Sequence, residues 1–385
     1  MPELWALRQY QALPLLGKIS LSYSRIKEWY DYFNGNVYIS FSGGKDSTVL
    51  ADLVHTIKPD VPLVFSNTGL EFPEIQSFAK KMGAEFVYPK MRFDQVISTY
   101  GYPLISKENA EAIHYARRIN NSEKTPQRKR SELLGTRDDG LYKDSRRNSL
   151  LGIGPFKKEK GSIFNKEKWL PAARDTTFKI SHRCCDIMKK SPLKIWQHAN
   201  KKYPFIGNLA SESRIREQAW VRKGCNAFDG SKASSQPMAF WHDEDVLRYI
   251  VDHELEIASV YGDIVGTNEA GEVVKATPGD ECTGLHCSNC QRTGCIFCGF
   301  GCHLDKGETR FQKLARTHPR QYEYCMGGGQ YVDNPDYDPT IPKMDGEWQN
   351  WNPKQIWVPS KKGLGMKKVF DEMNSLYGNN FIRYE

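Results

Sequence analysis

Six of the ten cysteines in this 385-residue chain, Cys282, Cys287, Cys290, Cys295, Cys298 and Cys302, crowd into a stretch of 21 residues. Cys184 and Cys185 are adjacent, while Cys225 and Cys325 stand alone and read as small buried residues. Crowding of this kind in a long chain favours metal binding over a disulfide scaffold. The run Cys290-x4-Cys295-x2-Cys298 has the local spacing with which thiolates hold an iron–sulfur cluster, and a fourth ligand must then come from elsewhere. Zinc is the rival: Cys287-x2-Cys290 and Cys295-x2-Cys298 form two CxxC knuckles, although four intervening residues are few for a two-knuckle ribbon. A second chemical string is Ser42-Gly43-Gly44-Lys45-Asp46-Ser47. Its glycines let backbone N–H groups approach an anion and its lysine supplies a cation, so it reads as a phosphate site. It is not the Walker pattern, which places four residues between its glycine and a Gly-Lys-Ser/Thr end.

These strings need elements to hold them. Val37–Phe41 is β-branched and aromatic and stops at Gly43-Gly44, so the glycine string leaves a strand. From Asp46 to Ile57 apolar residues recur at helical spacing, so the string also opens a helix. A strand at Leu63–Phe65, a helix over Pro73–Met82 and a strand at Glu85–Tyr88 follow. The alternation predicts an α/β fold with a parallel, doubly wound sheet. Further helices are predicted over Ser24–Phe33, Cys185–Ala199, after Trp241-His242-Asp243-Glu244-Asp245, and over Lys367–Leu376, with a strand at Tyr203–Ile206. His303, Arg310, Phe311, His318 and Tyr322 lie in a helical-looking stretch and read first as packing. Trp348, Trp351 and Trp357 read as core or subunit interface. The expected division is a helical segment 1–35, a nucleotide-binding domain 36–265, a cysteine-rich segment 266–330 and a tail 331–385.

Apolar residues make up 39% of the chain and charged residues 26%, a balance that permits ordinary cores. No run approaches the roughly 20 apolar residues that cross a bilayer, and the opening lacks a signal-peptide pattern, so a cytoplasmic protein is expected. The formal charge of +8 is unevenly placed: Arg117 to Lys168 hold 15 basic and 7 acidic residues, which is the entire excess. The pairs Arg117-Arg118, Arg128-Lys129-Arg130, Arg146-Arg147 and Lys157-Lys158 sit on a loop-like insertion at 117–168. Nucleic acid is therefore an expected partner, held by its phosphates, with Tyr115 and Tyr142 as weak stacking candidates.

The string SGGKDS after a strand resembles the PP-loop of ATP pyrophosphatases, and more of the chain resembles one branch, the phosphoadenylyl-sulfate (PAPS) reductase family. Asn67-Thr68-Gly69-Leu70-Glu71-Phe72-Pro73-Glu74 is similar to that family's second-strand motif, and Arg183-Cys184-Cys185-Asp186 with Pro192-Leu193-Lys194 to its cysteine-pair helix. Ala210-Ser211-Glu212-Ser213-Arg214-Ile215-Arg216 resembles its A-x-E-S-x-x-R segment, and Pro237–Trp241 the start of its closing helix. The late run Gly294–Gly301 resembles the cysteine-rich segment of DndC-like and phage proteins within the same group.

Carried to matching positions, the resemblance gives Ser42, Gly43, Gly44, Lys45, Asp46 and Ser47 to the phosphates of ATP, with Thr68 and Gly69 near the nucleotide and Arg216 completing the anion clamp. Lys45 and Arg216 suit charge gathering on a departing pyrophosphate, and Mg2+ is expected near Asp46. The family's cysteine pair implies Cys185, or Cys184, as the fourth ligand of a [4Fe–4S] cluster with Cys290, Cys295 and Cys298. Glu281-Cys282-Thr283-Gly284-Leu285-His286 is similar to the reductases' E-C-G-L-H string, which makes Cys282 a candidate nucleophile if neighbours such as His286 lower its pKa. Where the reductases carry Arg in a G-x-R-A string this chain has Gly207-Asn208-Leu209-Ala210. The expected activity is therefore adenylation of an acceptor for sulfur transfer, with a sulfur donor such as a cysteine desulfurase. Sulfonucleotide reduction is the alternative, and a nucleotide-binding regulator the third. An oligomer is left open.

Overall fold

The computed structural model describes residues 4–118, 145–152, 164–228, 233–339 and 351–385. In chain order its strands are β1 Val37–Phe41, β2 Leu63–Ser66, β3 Glu85–Val87, β4 Leu104–Ile105, β5 Tyr203–Ile206, β6 Asn226–Ala227, β7 Ser234–Ser235, β8 Ile264–Thr267, β9 Val273–Lys275, β10 Thr283–Cys287, β11 Gly299–Phe300, β12 Gln330–Asp333 and β13 Gln355–Val358. The chain divides into two compact units, each built from two stretches. The first takes Met1–Lys90 and Met188–Ile296, the second Met91–Ile187 and Phe297–Glu385.

The first unit is built on a six-stranded sheet of order β3-β2-β1-β5-β7-β6. All its pairs are parallel except β6 with β7 at the edge, which confirms the α/β fold with a parallel sheet. Val37, Ile39 and Phe41 of β1 enter one core with Val49, Leu50, Leu53 and Val54 of the helix Lys45–Ile57 and with Ile26 and Trp29 of the helix Leu15–Tyr32. Tyr38 of β1 packs on the other side with Val64 and Trp196. A strand buried on both faces reads as a continuous apolar run, as this one does. The lead-in helix begins at Leu15, well before the predicted Ser24, because the Leu15, Ile19 and Ile26 positions continue its apolar face. The helix expected from Cys185 is the α-helix Ser191–Asn200 preceded by a wide π turn over Asp186–Lys190. Pro192, lacking an N–H, fits only the first turn of an α-helix and fixes that start. Strands β10, β8 and β9 form a separate antiparallel sheet.

The order of the large sheet reverses at β1: β2 lies on one side and β5 on the other. Such a switch point opens a crevice at the carboxyl ends of the strands. The segments leaving β1, β2 and β5 there are Ser42–Gly44, Asn67–Phe72 and Gly207–Leu209, three of the stretches in which the sequence placed chemistry.

The second unit pairs β4 with β11 in parallel and β12 with β13 in antiparallel. Helices Arg310–Thr317 and Pro319–Met326 replace the single helical stretch read there, and Met366–Tyr377 matches the late helix. Phe311 packs on Phe370, and Cys325 and Met366 are buried. Among the described residues no helix is long and apolar enough to cross a membrane.

Candidate nucleotide site

Gly43 has φ +69, and a Cβ there would lie 2.8 Å from Ile75 Cγ2, so both conformation and space demand glycine at the exit of β1. Gly44 then caps the 13-residue helix Lys45–Ile57 with an extended backbone. Serine hydroxyls fix the turn. Ser47 Oγ donates to the Gly44 carbonyl at 2.8 Å and lies 3.0 Å from Ser42 Oγ. The Ser42 N–H donates to Ser47 Oγ at 3.2 Å. The two serines shape the cradle, and the helix N-terminus supplies its positive potential.

Lys45 is only 3% exposed. Its ammonium donates to Asp46 Oδ1 at 2.8 Å and also to Asp243 Oδ1. Burial alone would lower its pKa, but the two carboxylates more than offset that and leave it above the ordinary 10.5. It is a cation across the whole physiological range. Asp243 comes from the first turn of the helix Asp243–Asp252. Sequence reasoning used that acidic turn as a helix start and missed its place beside Lys45. The signal was present in the chemistry: a buried lysine needs a counter-charge.

On one flank Thr68 donates through both its N–H and its hydroxyl to Glu71, at 3.0 and 2.8 Å, and the Gly69 N–H donates to Asn67 Oδ1 at 2.9 Å. Thr68 and Gly69 thus form a rigid turn at the end of β2. On the other flank Gly207 touches the start of the phosphate-loop helix, since a Cβ there would lie 3.0 Å from the Asp46 carbonyl oxygen. Leu209 is completely buried in the core, so no anion-binding side chain issues from that position. Arg216, in the first turn of the helix Arg214–Lys223, pairs with Glu212. Burial lowers its pKa first, with Arg292 adding repulsion and Asp46 opposing. Tyr261, Arg292 and Thr293 also reach this region and were not singled out from the sequence. Tyr261 Oη accepts the Lys45 N–H at 3.1 Å and lies 2.7 Å from Thr293 Oγ1. Burial pushes its phenol up to about 12, so it stays neutral.

Cys282 precedes β10 and is 8% exposed. Its N–H donates to Asp280 Oδ1 at 3.1 Å, and Arg248 donates to its carbonyl at 2.7 Å. Burial, followed by the Asp280 charge, raises the thiol pKa, with Arg248 only partly opposing. The lowering that a nucleophilic role requires is not found, and His286 Nδ1 faces the Gly284 carbonyl at 3.0 Å.

Burial sorts the ten cysteines. Cys184, Cys225, Cys282, Cys287, Cys302 and Cys325 are buried, whereas Cys185, Cys290, Cys295 and Cys298 are partly open. Burial pushes the Cys287 thiol up to about 11 and that of Cys302 up to about 12. The four partly open thiols are the four singled out as cluster ligands, and thiolates are the donor type that iron–sulfur clusters take. Cys290 and Cys295 belong to the first unit, Cys185 and Cys298 to the second. Among the described residues no three His, Cys, Asp or Glu side chains form a group that could hold a metal ion.

In the basic stretch Arg117 is not a surface cation. It is 5% exposed, and its guanidinium donates to the carbonyls of Ala172, Ala173 and Phe178 and to Thr176 Oγ1, with Trp351 stacked 4.1 Å away. Arg146 pairs with Glu111 at 2.8 Å and covers Tyr115, Lys166 pairs with Glu108, and Lys168 lies over Trp169. Asn148, Ser149 and Leu150 are buried in the helix Ser145–Leu151, where a loop was expected. Arg128, Lys129, Arg130, Tyr142, Lys157, Lys158 and Trp348 lie outside the described residues.

Comparison with known proteins agrees with the switch-point loop. The model of the phosphoadenosine phosphosulfate reductase domain matches residues 36–131 and 157–299. An adenosine 5'-phosphosulfate reductase of Staphylococcus haemolyticus is 31% identical over 102 residues, 24% of this chain and 42% of the relative. An uncharacterized protein of Methanocaldococcus jannaschii is 38% identical over 68 residues, 17% of this chain and 16% of the relative. The chain thus spans less than half the length of either relative. The crystal structure of a PAPS reductase from Candida auris, in complex with phosphate, aligns with 64% of this chain and 91% of its own at 12% identity and a TM-score of 0.33. Since the family's domain takes in β1, the glycine string, the cysteine pair and the run through Cys298, more than half of the sequence, this chain belongs to the phosphoadenosine phosphosulfate reductase domain family.

Proposed function

We propose that the protein is an ATP pyrophosphatase of the PP-loop kind that adenylates an acceptor for sulfur transfer. The observation that carries this reading is the buried, doubly paired Lys45 at the start of a helix that opens at the sheet's switch point. An acceptor oxygen attacks the α-phosphorus of ATP, the bond from that phosphorus to the α,β-bridging oxygen breaks, and pyrophosphate departs with the electron pair. AMP remains on the acceptor until a sulfur nucleophile displaces it. Lys45 and the loop amides meet the growing charge on the pyrophosphate, and Arg216 adds a second cation. Gly43 and Gly44 let the backbone approach the phosphates, while Thr68 and Gly69 hold the nucleotide's other side. Asp46 offers a carboxylate oxygen to Mg2+, which when bound would share the phosphate charge.

Cys185, Cys290, Cys295 and Cys298 would hold a [4Fe–4S] cluster, which supplies electron transfer or a site for sulfur when bound. Zinc on the two knuckles, Cys287 with Cys290 and Cys295 with Cys298, is the alternative. Nucleic acid is the acceptor we favour, because the net charge of the chain resides in the basic stretch, and a cysteine desulfurase or similar donor would supply sulfur. Chemistry that depends on reduced thiols suits the cytoplasm.

Reduction of a sulfonucleotide is the second reading, favoured by the staphylococcal reductase match. Leu209 in the core and the raised thiol of Cys282 weigh against it. The two separate experimentally. In anaerobic assays with ATP and candidate acceptors, Cys282→Ser is expected to keep formation of pyrophosphate and acceptor-bound AMP, whereas Lys45→Ala abolishes it. Loss of all turnover in Cys282→Ser, together with thiol-dependent release of sulfite from adenylyl sulfate by the wild type, would establish the reductase instead.

A further inference from the structure

The interval between Cys290 and Cys295 is Gln291, Arg292, Thr293 and Gly294, and two of its side chains engage the nucleotide site. Thr293 Oγ1 lies 2.7 Å from Tyr261 Oη, which accepts the Lys45 N–H at 3.1 Å. This hydroxyl pair rests against the loop backbone: a Cβ on Gly44 would come within 3.0 Å of Tyr261 Oη and 3.2 Å of Thr293 Oγ1. Arg292 is largely exposed, with its Nη2 at 3.5 Å from Glu212 Oε1. The same Glu212 carboxylate holds Arg216. One carboxylate therefore serves two guanidiniums that repel each other, an arrangement that a ligand with several anionic oxygens relieves.

We infer that Arg292 is a polyphosphate-binding residue of this site, and that the Thr293–Tyr261 hydroxyl pair is the brace that holds its segment against the phosphate loop. The inference rests on the nucleotide reading above and adds a residue to it. The ligand class is the pyrophosphate portion of a nucleoside triphosphate, since a forked guanidinium matches phosphate oxygens two at a time. The exposed side chain can leave Glu212 at little cost, because a solvated ion pair is weak. The cysteine interval thus has two occupations, thiols at its ends and phosphate recognition at its centre.

The test is calorimetric binding of inorganic pyrophosphate and, separately, of adenosine to the full chain prepared anaerobically. Arg292→Ala should weaken pyrophosphate binding about tenfold or more and leave adenosine binding unchanged, and Arg292→Lys should restore part of the loss. Thr293→Val and Tyr261→Phe should each cost a few-fold on pyrophosphate only. Wild-type affinity for pyrophosphate in Arg292→Ala, beside a clear loss in Lys45→Ala, would overturn the inference and leave the nucleotide reading standing. Equal weakening of both probes by Arg292→Ala would also overturn it, by showing a purely structural role. Absence of pyrophosphate and ATP binding in the wild type would instead defeat the nucleotide reading itself.

Discussion

At Lys45 two carboxylates compete for a cation that the phosphates of a nucleotide would also claim. Asp46 belongs to the loop, whereas Asp243 arrives from a distant helix and presents a like charge to any incoming anion. Replacing Asp243 with Asn should therefore tighten binding of metal-free pyrophosphate by several-fold, because a competitor and a repulsive charge disappear together. The measurement is a binding titration in chelator; weaker binding would show that Asp243 helps to hold the ligand. The cysteines give a second residue-scale outcome. In metal-free protein Cys185, Cys290, Cys295 and Cys298 should react fastest with an alkylating agent, while Cys287 and Cys302, with thiols near 11 and 12, should be slow. Peptide mapping by mass spectrometry reads this directly, and preferential labelling of the buried set would undo the ligand assignment.

At the scale of elements, the strand–loop–helix unit around the glycine string was fully legible. A β-branched strand, two glycines and a helical apolar period admit few other arrangements, and the structure has β1 at Val37–Phe41 and its helix at Lys45–Ile57. Residues near in space but far in sequence were not legible. Asp243, Tyr261, Arg292 and Thr293 carry no local pattern that marks them, since each is defined by what it touches. Arg117 illustrates the converse. Charge counting put it on a basic surface, yet its guanidinium, near the end of the helix Lys107–Arg118, donates to the carbonyls of Ala172, Ala173 and Phe178 and to Thr176. Arg117→Met should lower stability by about 3 kcal/mol or more, because buried carbonyls lose a charged donor. A denaturant midpoint close to that of the wild type would contradict this.

Across the whole molecule, each of the two compact units is assembled from two separated stretches of chain. Composition and charge locate a surplus along the sequence but carry no information on which distant segments close one core. The second unit contains His182 and His303, and burial holds both imidazoles below the ordinary 6.5. The unfolded chain then takes up protons first as the pH falls. Stability from these groups is complete above about pH 6.5 and declines as the pH drops through that value towards the folded pKa. Thermal melts from pH 7.5 to 5 should show that decline, and His303→Phe, which keeps the ring beside Trp169 and Phe381, should flatten it. An unchanged slope in that variant would remove His303 from the explanation.

The most direct test of the central claim is the identity of the nucleotide products. ³¹P NMR of ATP incubated anaerobically with the protein, Mg2+, sulfide as the sulfur nucleophile and a panel of tRNA and duplex DNA acceptors should show AMP and pyrophosphate in equal amounts, and none with Lys45→Ala. Accumulation of ADP and orthophosphate by the wild type would contradict the account at its base.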